Sequence, residues 1–180
     1  MKTSFTYGAG MALASALLVF ALYFLGFHSD AAKFPTGQKI QMIAGIVILV
    51  GGLVLGIRAR RDETPADEPF GYGKALGAGT LIALFSSLLG AVFTFIYASF
   101  INPGFQEVLV RSEIAKLEAK NLPADAIEGA EKFIRMMSNP AVSMVAGFIF
   151  GFIMSFIAAL IVAAFIKRSA QVQPPPLATA

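Results

Sequence analysis

Four long stretches without charged residues organise the chain. They cover residues 7–27, 40–57, 75–101 and 141–166. The third contains 27 residues, and as an α-helix it is about 40 Å long. The second, with 18 residues, is the shortest. Since the hydrocarbon core of a bilayer is about 30 Å thick, each stretch predicts a membrane-spanning helix.

The connection over residues 104–138 has a different texture, because charged and apolar residues alternate along it. Helical spacing places Ile127, Ile134 and Met137 on one apolar face, and oppositely charged residues lie four positions apart on another. Pro123 divides the segment into two halves. We therefore predict an all-α integral membrane protein of four transmembrane helices, with a charged amphipathic helical hairpin between the third and the fourth.

Composition supports a single membrane domain over residues 1–168. Of the 180 residues 57% are hydrophobic and 14% are charged, and the mean hydropathy is +0.73, far more apolar than a soluble domain. The proline-rich end, residues 169–180, predicts a disordered tail. The chain contains no cysteine, which excludes disulfides and thiolate metal sites.

The net charge of +3 and the isoelectric point near 9.3 raise the question of nucleic-acid binding. The basic residues, however, lie at the ends of the apolar stretches, where they anchor membrane helices, so no nucleic acid partner is predicted. The residues that we expect to contact lipid headgroups are Arg58, Arg60, Arg61, Tyr72, Lys74, Lys167 and Arg168.

Four spans place both termini and the loop over residues 58–74 on the same side. That side and the opposite side carry seven Lys and Arg residues each, so a simple count does not decide the orientation. The sharper basic clusters lie beside the termini and in the short loop, whereas the hairpin mixes its basic residues with acids. We therefore expect a multi-pass protein of the bacterial inner membrane with both termini in the cytoplasm.

Small residues recur every four positions in the third and fourth spans. Such ridges let helix backbones approach closely, which is a main source of helix association in lipid. We favour packing within one four-helix bundle over a dimerisation face, because the chain offers enough partners for each ridge. The predicted helix-packing residues are Gly147, Gly151, Ser155, Ala159, Gly79, Ala83 and Ser87.

Catalytic chemistry has little support in this sequence. The four spans contain no Asp, Glu, Lys, Arg or His, the residues from which proton relays and ion pathways are built. The single histidine, His28, follows the first span and is interpreted as an interfacial polar residue. We predict no catalytic, cofactor-binding or metal site, and we do not expect an enzyme.

Short motifs in a fixed order give the chain a resemblance to a known family. They are Gly56-Ile57-Arg58 with Arg61-Asp62, Tyr72-Gly73-Lys74-Ala75-Leu76 with Gly79, Asn102-Pro103, Lys132-Phe133, Asn139-Pro140 and Lys167-Arg168. Over roughly residues 1–168 the chain resembles a bacterial family of unknown function, made of small four-helix inner-membrane proteins with a charged helical segment before the last span. The resemblance implies a fold and a membrane, and it brings no activity or cofactor.

Our principal functional prediction is a non-enzymatic structural, assembly or accessory protein of the membrane. It acts through its helix ridges and through a possible partner face formed by Ile127, Ile134 and Met137, against the lipid bilayer and either a membrane-protein partner or further copies of itself. The sequence leaves open whether the hairpin lies on the membrane or projects from it.

The alternative is a small, possibly oligomeric channel or carrier for a small solute or lipid. In that case Ser86, Ser87, Thr94 and Ser155 line a polar path that runs through the bundle. A dry core filled by Leu, Phe and Met argues against it. A membrane enzyme is the least favoured class, since no acid, base or metal set is assembled.

Overall fold

The computed structural model describes residues 1–169, and their regular secondary structure is helical. No β-strand occurs among them, apart from a single antiparallel bridge between Phe70 and Arg168. The all-α prediction is confirmed, while the predicted tail lies outside the described residues except for Ser169. The helices are α1 (Lys2–Phe24), α2 (Phe34–Asp62), α3 (Tyr72–Ile96), α4 (Phe105–Glu118), α5 (Ala124–Ser138) and α6 (Pro140–Ile166), and a π-helical turn over Tyr97–Ile101 continues α3.

Four of these helices are long and apolar enough to cross a membrane: α1, α2, α6, and α3 with its π-helical continuation. The helices are longer than the charge-free stretches in several places. The largest difference is in α2, which begins at Phe34 and ends at Asp62, although the uncharged run covers only 40–57. Charged Lys and Arg residues favour the α-helix as much as Leu does, so loss of apolar character does not end a helix.

The four long helices form a bundle in which α3 contacts α1, α2 and α6. α2 also contacts α1 and α6, while α5 contacts α4 and α6. The start of α1, the end of α2, the start of α3 and the end of α6 meet at one end of the bundle, which we call the terminal end. α4 and α5 lie at the opposite end, which we call the hairpin end.

The hydrophobic core occupies the terminal half of the bundle. Close helix approach explains its density: a Cβ added at Gly79 lies 2.8 Å from the Cβ of Ala159, and one added at Gly56 lies 2.9 Å from the Cβ of Tyr7. With contacts this short, a larger residue at either position requires its neighbours to shift. The buried core residues are Met11, Leu53, Ile57, Phe70, Ala75, Ala78, Ile82, Ala159, Val162, Ala163 and Ile166.

The hairpin half of the bundle is open by comparison. No residue of α2 between 38 and 52, and none of α6 between 140 and 154, is buried. A Cβ added at Gly45, Gly90 or Gly147 has no heavy atom of another residue within 4 Å. The helices are therefore packed tightly at one end and leave space between them toward the other.

Candidate functional site

A cavity of about 530 Å³ lies among the four long helices in the hairpin half, and we call it the cleft. Each of α1, α2, α3 and α6 contributes to its walls. Most of the lining is apolar, which is usual for a site that holds a small molecule or an apolar segment. The polar side chains on the walls are Ser15, Gln41, Ser86, Ser87, Thr94 and Ser155.

The cleft opens sideways between α2 and α6. Met42 and Ile46 line it from α2 and are 61% and 55% exposed, and Phe150 and Met154 line it from α6 and are 68% and 45% exposed. These side chains are exposed because α2 and α6 do not pack against each other at this level.

The floor of the cleft is closed. Met11, which lines the cleft, is 5% exposed, and Leu53 and Ile82 are fully buried in the core cluster beneath it. We call these three residues the apolar layer. The continuous polar path expected of a channel is therefore interrupted within the described residues.

The walls of the cleft carry hydroxyl groups and an amide but no charge. Among the described residues, none that lines it is an Asp, Glu, Lys, Arg or His. The Thr94 hydroxyl donates to the Gly90 carbonyl at 2.9 Å, so it is partnered within its own helix. Such walls suit an apolar or amphipathic occupant and provide no acid or base for catalysis.

A second cavity, of about 480 Å³, lies at the terminal end, and we call it the terminal pocket. Its mouth carries two ion pairs, between Arg60 and Glu63 at 2.5 Å and between Lys74 and Glu68 at 3.1 Å. Its apolar lining comes from Met1, Phe70, Gly77, Ala78 and Leu81. The pocket is thus charged at the surface and apolar inside.

Hydrogen bonds keep one acid of the terminal pocket ionised. The Thr3 hydroxyl and the Arg60 guanidinium both donate to Glu63, and these bonds lower the pKa of its carboxyl group below the usual value. At neutral pH the mouth therefore presents carboxylates as well as cations.

Arg168 has a structural role that sequence reasoning missed. Its guanidinium donates to the carbonyls of Thr64 and Pro65 at 2.9 and 2.8 Å, and its backbone pairs with Phe70 in both directions. The end of α6 thus holds the loop over residues 63–71, which forms one wall of the terminal pocket. We had placed Arg168 among the headgroup contacts.

The other residues predicted to contact headgroups also gather at the terminal end. Arg61 pairs with Asp62 at 3.0 Å, and the Tyr72 hydroxyl donates to the Leu160 carbonyl at 3.3 Å. Arg58 and Lys167 are exposed.

The predicted helix-packing residues divide between the two halves of the bundle. Gly79, Ala83, Ser155 and Ala159 are buried. Ser87, Gly147 and Gly151 instead line the cleft, with Ser87 Oγ 3.6 Å from a Cβ added at Gly151. The α6 ridge is buried at its terminal part, touches Ser87 of α3 at Gly151, and is exposed at Gly147.

The predicted partner face on α5 is half-buried within the chain itself. Ile134 and Met137 line a cavity of about 300 Å³ together with residues of α3, α4 and α6, and Ile127 has intermediate exposure. The apolar residues that α5 exposes are Phe133, at 60%, and Met136, at 56%.

A buried polar cluster at the hairpin end is the feature that sequence reasoning did not find. His28, Tyr97 and Asn102 are 2%, 3% and 8% exposed. The His28 Nδ1 and the Tyr97 hydroxyl are 2.7 Å apart, and the Asn102 amide donates to that hydroxyl at 3.1 Å and to the His28 carbonyl at 3.2 Å. The rings of Phe34 and Phe105 pack around the imidazole.

The hydrogen bonds of this cluster suit a neutral imidazole. With the imidazole proton on Nε2, the Tyr97 hydroxyl donates to His28 Nδ1 while it accepts from Asn102, and all three groups are satisfied. Burial lowers the pKa of His28 from its ordinary value of 6.5, which also favours the neutral imidazole. The cluster ties the α1–α2 loop to the end of α3.

Backbone geometry places Asn102 in the cluster. Its backbone N–H donates to the Tyr97 carbonyl, five residues earlier, at 2.7 Å. This bond widens the end of α3 into a π-helical turn. The break at Asn102-Pro103 marked this helix end in the sequence, but the partner, His28, lies 74 positions away. No local pattern connects the two.

Comparison with known families decides the membership of the chain. Residues 6–168 match the family described as "Protein of unknown function (DUF4199)". The chain belongs to this family. The resemblance inferred from the short motifs is thereby confirmed as one to a family of unknown function. Comparison with curated proteins and with solved structures gives no match.

Proposed function

We propose that this protein is a multi-pass integral membrane protein with α1, α2, α3 and α6 embedded in the bilayer. The large apolar side chains that face outward support this, since Phe24, Phe150 and Phe165 are 80%, 68% and 84% exposed. In water so much exposed apolar surface on a monomer causes aggregation. In lipid it is the surface that solvates the protein.

The bilayer is the bacterial inner membrane, and the terminal end faces the cytoplasm. Support comes from the short basic segments gathered there, since positive charge is concentrated on the cytoplasmic side of membrane proteins. α4 and α5 lie outside the hydrocarbon, because they carry exposed ion pairs such as those between Lys132 and Glu128 and between Arg135 and Glu131.

Within this membrane the protein acts as a non-enzymatic accessory or assembly protein, and its cleft holds one face of a transmembrane helix of a partner or of a second copy. The observation that carries this function is the exposed, unpacked part of the α6 ridge at Gly147, on the wall of the cleft. Gly45 of α2 lines the same cleft, and an added Cβ at either glycine has no neighbour within 4 Å, so a helix backbone can approach closely there.

The dimensions of the cleft fit such an occupant. Along α2 the lining runs from Gln41 to Leu49, about 12 Å, which corresponds to about two turns of a neighbouring helix. Since Ile134 and Met137 are half-covered by the chain, the cleft supports a partner better than the predicted hairpin face does.

The test fills the cleft and measures association. Gly147→Leu places a side chain in the cleft at a position where an added Cβ has no neighbour within 4 Å. Gly10→Leu is its matched control, because an added Cβ at Gly10 also has no neighbour and Gly10 does not line the cleft. Each tagged variant is purified from native membranes in mild detergent, and its native mass is determined.

We expect a stoichiometric protein partner, or a second copy, in the unsubstituted protein and in Gly10→Leu, and its loss in Gly147→Leu. Equal association in both variants, or a monomer without partner in all three proteins, contradicts the accessory function.

A carrier is the second candidate, and the presence of a cavity at each end of the bundle favours it. On α3 the terminal pocket reaches Leu81 and the cleft begins at Ser86, a separation of about 7.5 Å along the helix. Transport then requires the apolar layer to open.

The absence of native cysteine makes the carrier testable with one residue. Ile82→Cys in the apolar layer reacts with a membrane-impermeant thiol reagent only if water reaches it, with Leu81→Cys in the terminal pocket as the accessible control. Labelling of the control without any labelling at position 82 argues against a carrier.

A further inference from the structure

The terminal pocket has the polarity profile of a site for an amphipathic molecule. Charged side chains surround its mouth, and its lining runs along α3 from Lys74 to Leu81, seven residues further on. That distance is about 10 Å, so a molecule whose polar part lies at the mouth extends its apolar part into the interior. The cleft, by contrast, has no charged residue among the described residues that line it.

The charges at the mouth are balanced between signs. Arg60 and Lys74 are each already paired with a carboxylate, Glu63 and Glu68 respectively. Arg60 and Lys74 have further N–H donors, so an anionic group can bind beside the two pairs, but it adds a negative charge next to Glu63 and Glu68. A group with one negative and one positive charge exchanges partners with both pairs, so that each charge remains compensated.

A buried hydroxyl provides an independent indication of a ligand. Ser4 lines the terminal pocket and is 1% exposed, and its Oγ has no hydrogen-bond partner. A buried polar atom without a partner is costly. Ser4 is the third residue of α1, so no preceding helical turn offers its hydroxyl a carbonyl, and a polar group inside the pocket supplies the missing partner.

We propose that the terminal pocket binds an amine-bearing zwitterionic phospholipid, with the phosphate at Arg60 and Lys74, the primary ammonium at Glu63 and Glu68, and the glycerol ester region at Ser4. The lipid, rather than a free phosphoethanolamine, is the occupant because the interior of the pocket is apolar. A primary ammonium is required because it donates hydrogen bonds to the carboxylates, which the quaternary ammonium of phosphatidylcholine does not do. The site depends on the membrane embedding proposed above.

The experiment measures which lipid stays bound. The full-length protein is reconstituted in nanodiscs of phosphatidylcholine mixed equally with either phosphatidylethanolamine or phosphatidylglycerol, released into the gas phase, and analysed for retained lipid by native mass spectrometry. We expect phosphatidylethanolamine to be retained about tenfold over phosphatidylcholine, the factor that one or two charge-assisted hydrogen bonds provide.

Two matched variants on α3 locate the retained lipid. Gly77→Phe fills the terminal pocket and Gly73→Phe points elsewhere; an added Cβ has no neighbour within 4 Å at either position, and only Gly77 lines the pocket. We expect retention of phosphatidylethanolamine to be lost in Gly77→Phe and kept in Gly73→Phe. The double variant Glu63→Gln with Glu68→Gln removes the preference over phosphatidylcholine while some lipid stays bound.

Three outcomes overturn the assignment: equal retention of all three lipids, a preference for phosphatidylglycerol, or full retention in Gly77→Phe. Binding of soluble glycerophosphoethanolamine with the same variant pattern and without lipid retention shows instead that the occupant is a free headgroup. Failure here is distinguishable from failure of the accessory function, because partner association is measured with Gly147→Leu in the cleft at the other end of the bundle.

Discussion

The two halves of the bundle use the same small residues and pack differently. In the terminal half an added Cβ at Gly8 lies 2.7 Å from the Cβ of Phe85 and 2.9 Å from the Ile82 carbonyl oxygen. In the hairpin half Gly90 and Gly147 have no neighbour at all within 4 Å. A small residue therefore permits close helix contact but does not produce it. What closes the terminal half is a set of large side chains that fill the space between the ridges.

Leucine substitutions at two glycines, one in each half of the bundle, are expected to give the largest difference in stability. Gly79→Leu forces a side chain into Ala159 and Ile57, where even a Cβ is 2.8 and 3.1 Å away, and we expect a loss of about 3 kcal/mol or more in the free energy of unfolding. At Gly147 an added Cβ has no neighbour within 4 Å and the side chain extends into the cleft, while helix propensity rises, so for Gly147→Leu we expect no loss. Thermal unfolding of both variants in the same detergent, followed by circular dichroism, measures the difference.

Gly79→Ala separates overpacking from a general intolerance of α3 to substitution. A small shift of Ala159 can accommodate one added methyl group, so Gly79→Ala should lower the free energy of unfolding less than Gly79→Leu does. Similar melting temperatures for Gly79→Leu and Gly147→Leu contradict the division into a packed and an open half.

The sequence predicted the helical class because four charge-free stretches leave a chain few choices. It did not predict which part of the ridge on α6 is packed, since Gly147 and Ala159 fit the same four-residue spacing. Their difference depends on the residues opposite them, and thus on how far α2 diverges from α6. Only the three-dimensional arrangement contains that distance.

The polar sites were harder to predict for the same reason. The charged mouth of the terminal pocket was partly anticipated, because Arg60 and Lys74 were expected at the membrane surface. Glu63 pairs with Arg60 locally at the end of α2, whereas Glu68 meets Lys74 through the loop that Arg168 holds. His28 is a single histidine without a local partner, and its burial follows from contacts made across the bundle.

The buried cluster at the hairpin end is expected to hold that end together although the cleft beneath it is open. Tyr97→Phe removes the hydroxyl between His28 and Asn102 and leaves the imidazole Nδ1 buried without a partner. We expect a loss of about 1–3 kcal/mol in the free energy of unfolding. Thermal unfolding measures it, and Phe100→Leu, at an exposed position of the same π-helical turn, is the control that should have little effect.

Acid should weaken the same cluster through His28. Its pKa is lowered by burial in the folded protein, so the unfolded chain binds more protons below its own value of 6.5. The contribution of the neutral His28 to stability is therefore fully present above pH 6.5, and it is lost as the pH drops through the lowered pKa of the folded state. The measurement is the melting temperature between pH 8 and pH 5, compared with that of His28→Gln.

His28→Gln removes the titrating group, so its melting temperature should change less over this range than that of the unsubstituted protein. If both proteins lose the same stability, the acid sensitivity arises from other groups and the neutral imidazole is not the cause.

The smallest effect is expected from the ion pairs between α4 and α5, which lie outside the bundle. Glu107 and Arg135 are 2.9 Å apart, but both side chains are 45% exposed, so water and salt screen their attraction. Hydrogen bonds from Arg135 and Arg111 lower the pKa of the Glu107 carboxyl group, so the pair persists at neutral pH and weakens as the pH falls below 4.5. We expect Glu107→Gln to leave the melting temperature at pH 7 unchanged within error, with and without added salt. A loss of stability as large as that of Tyr97→Phe would mean that the hairpin stabilises the open half of the bundle. The two halves would then differ in the source of their stability, which is core packing in one and the hairpin in the other, rather than in its amount.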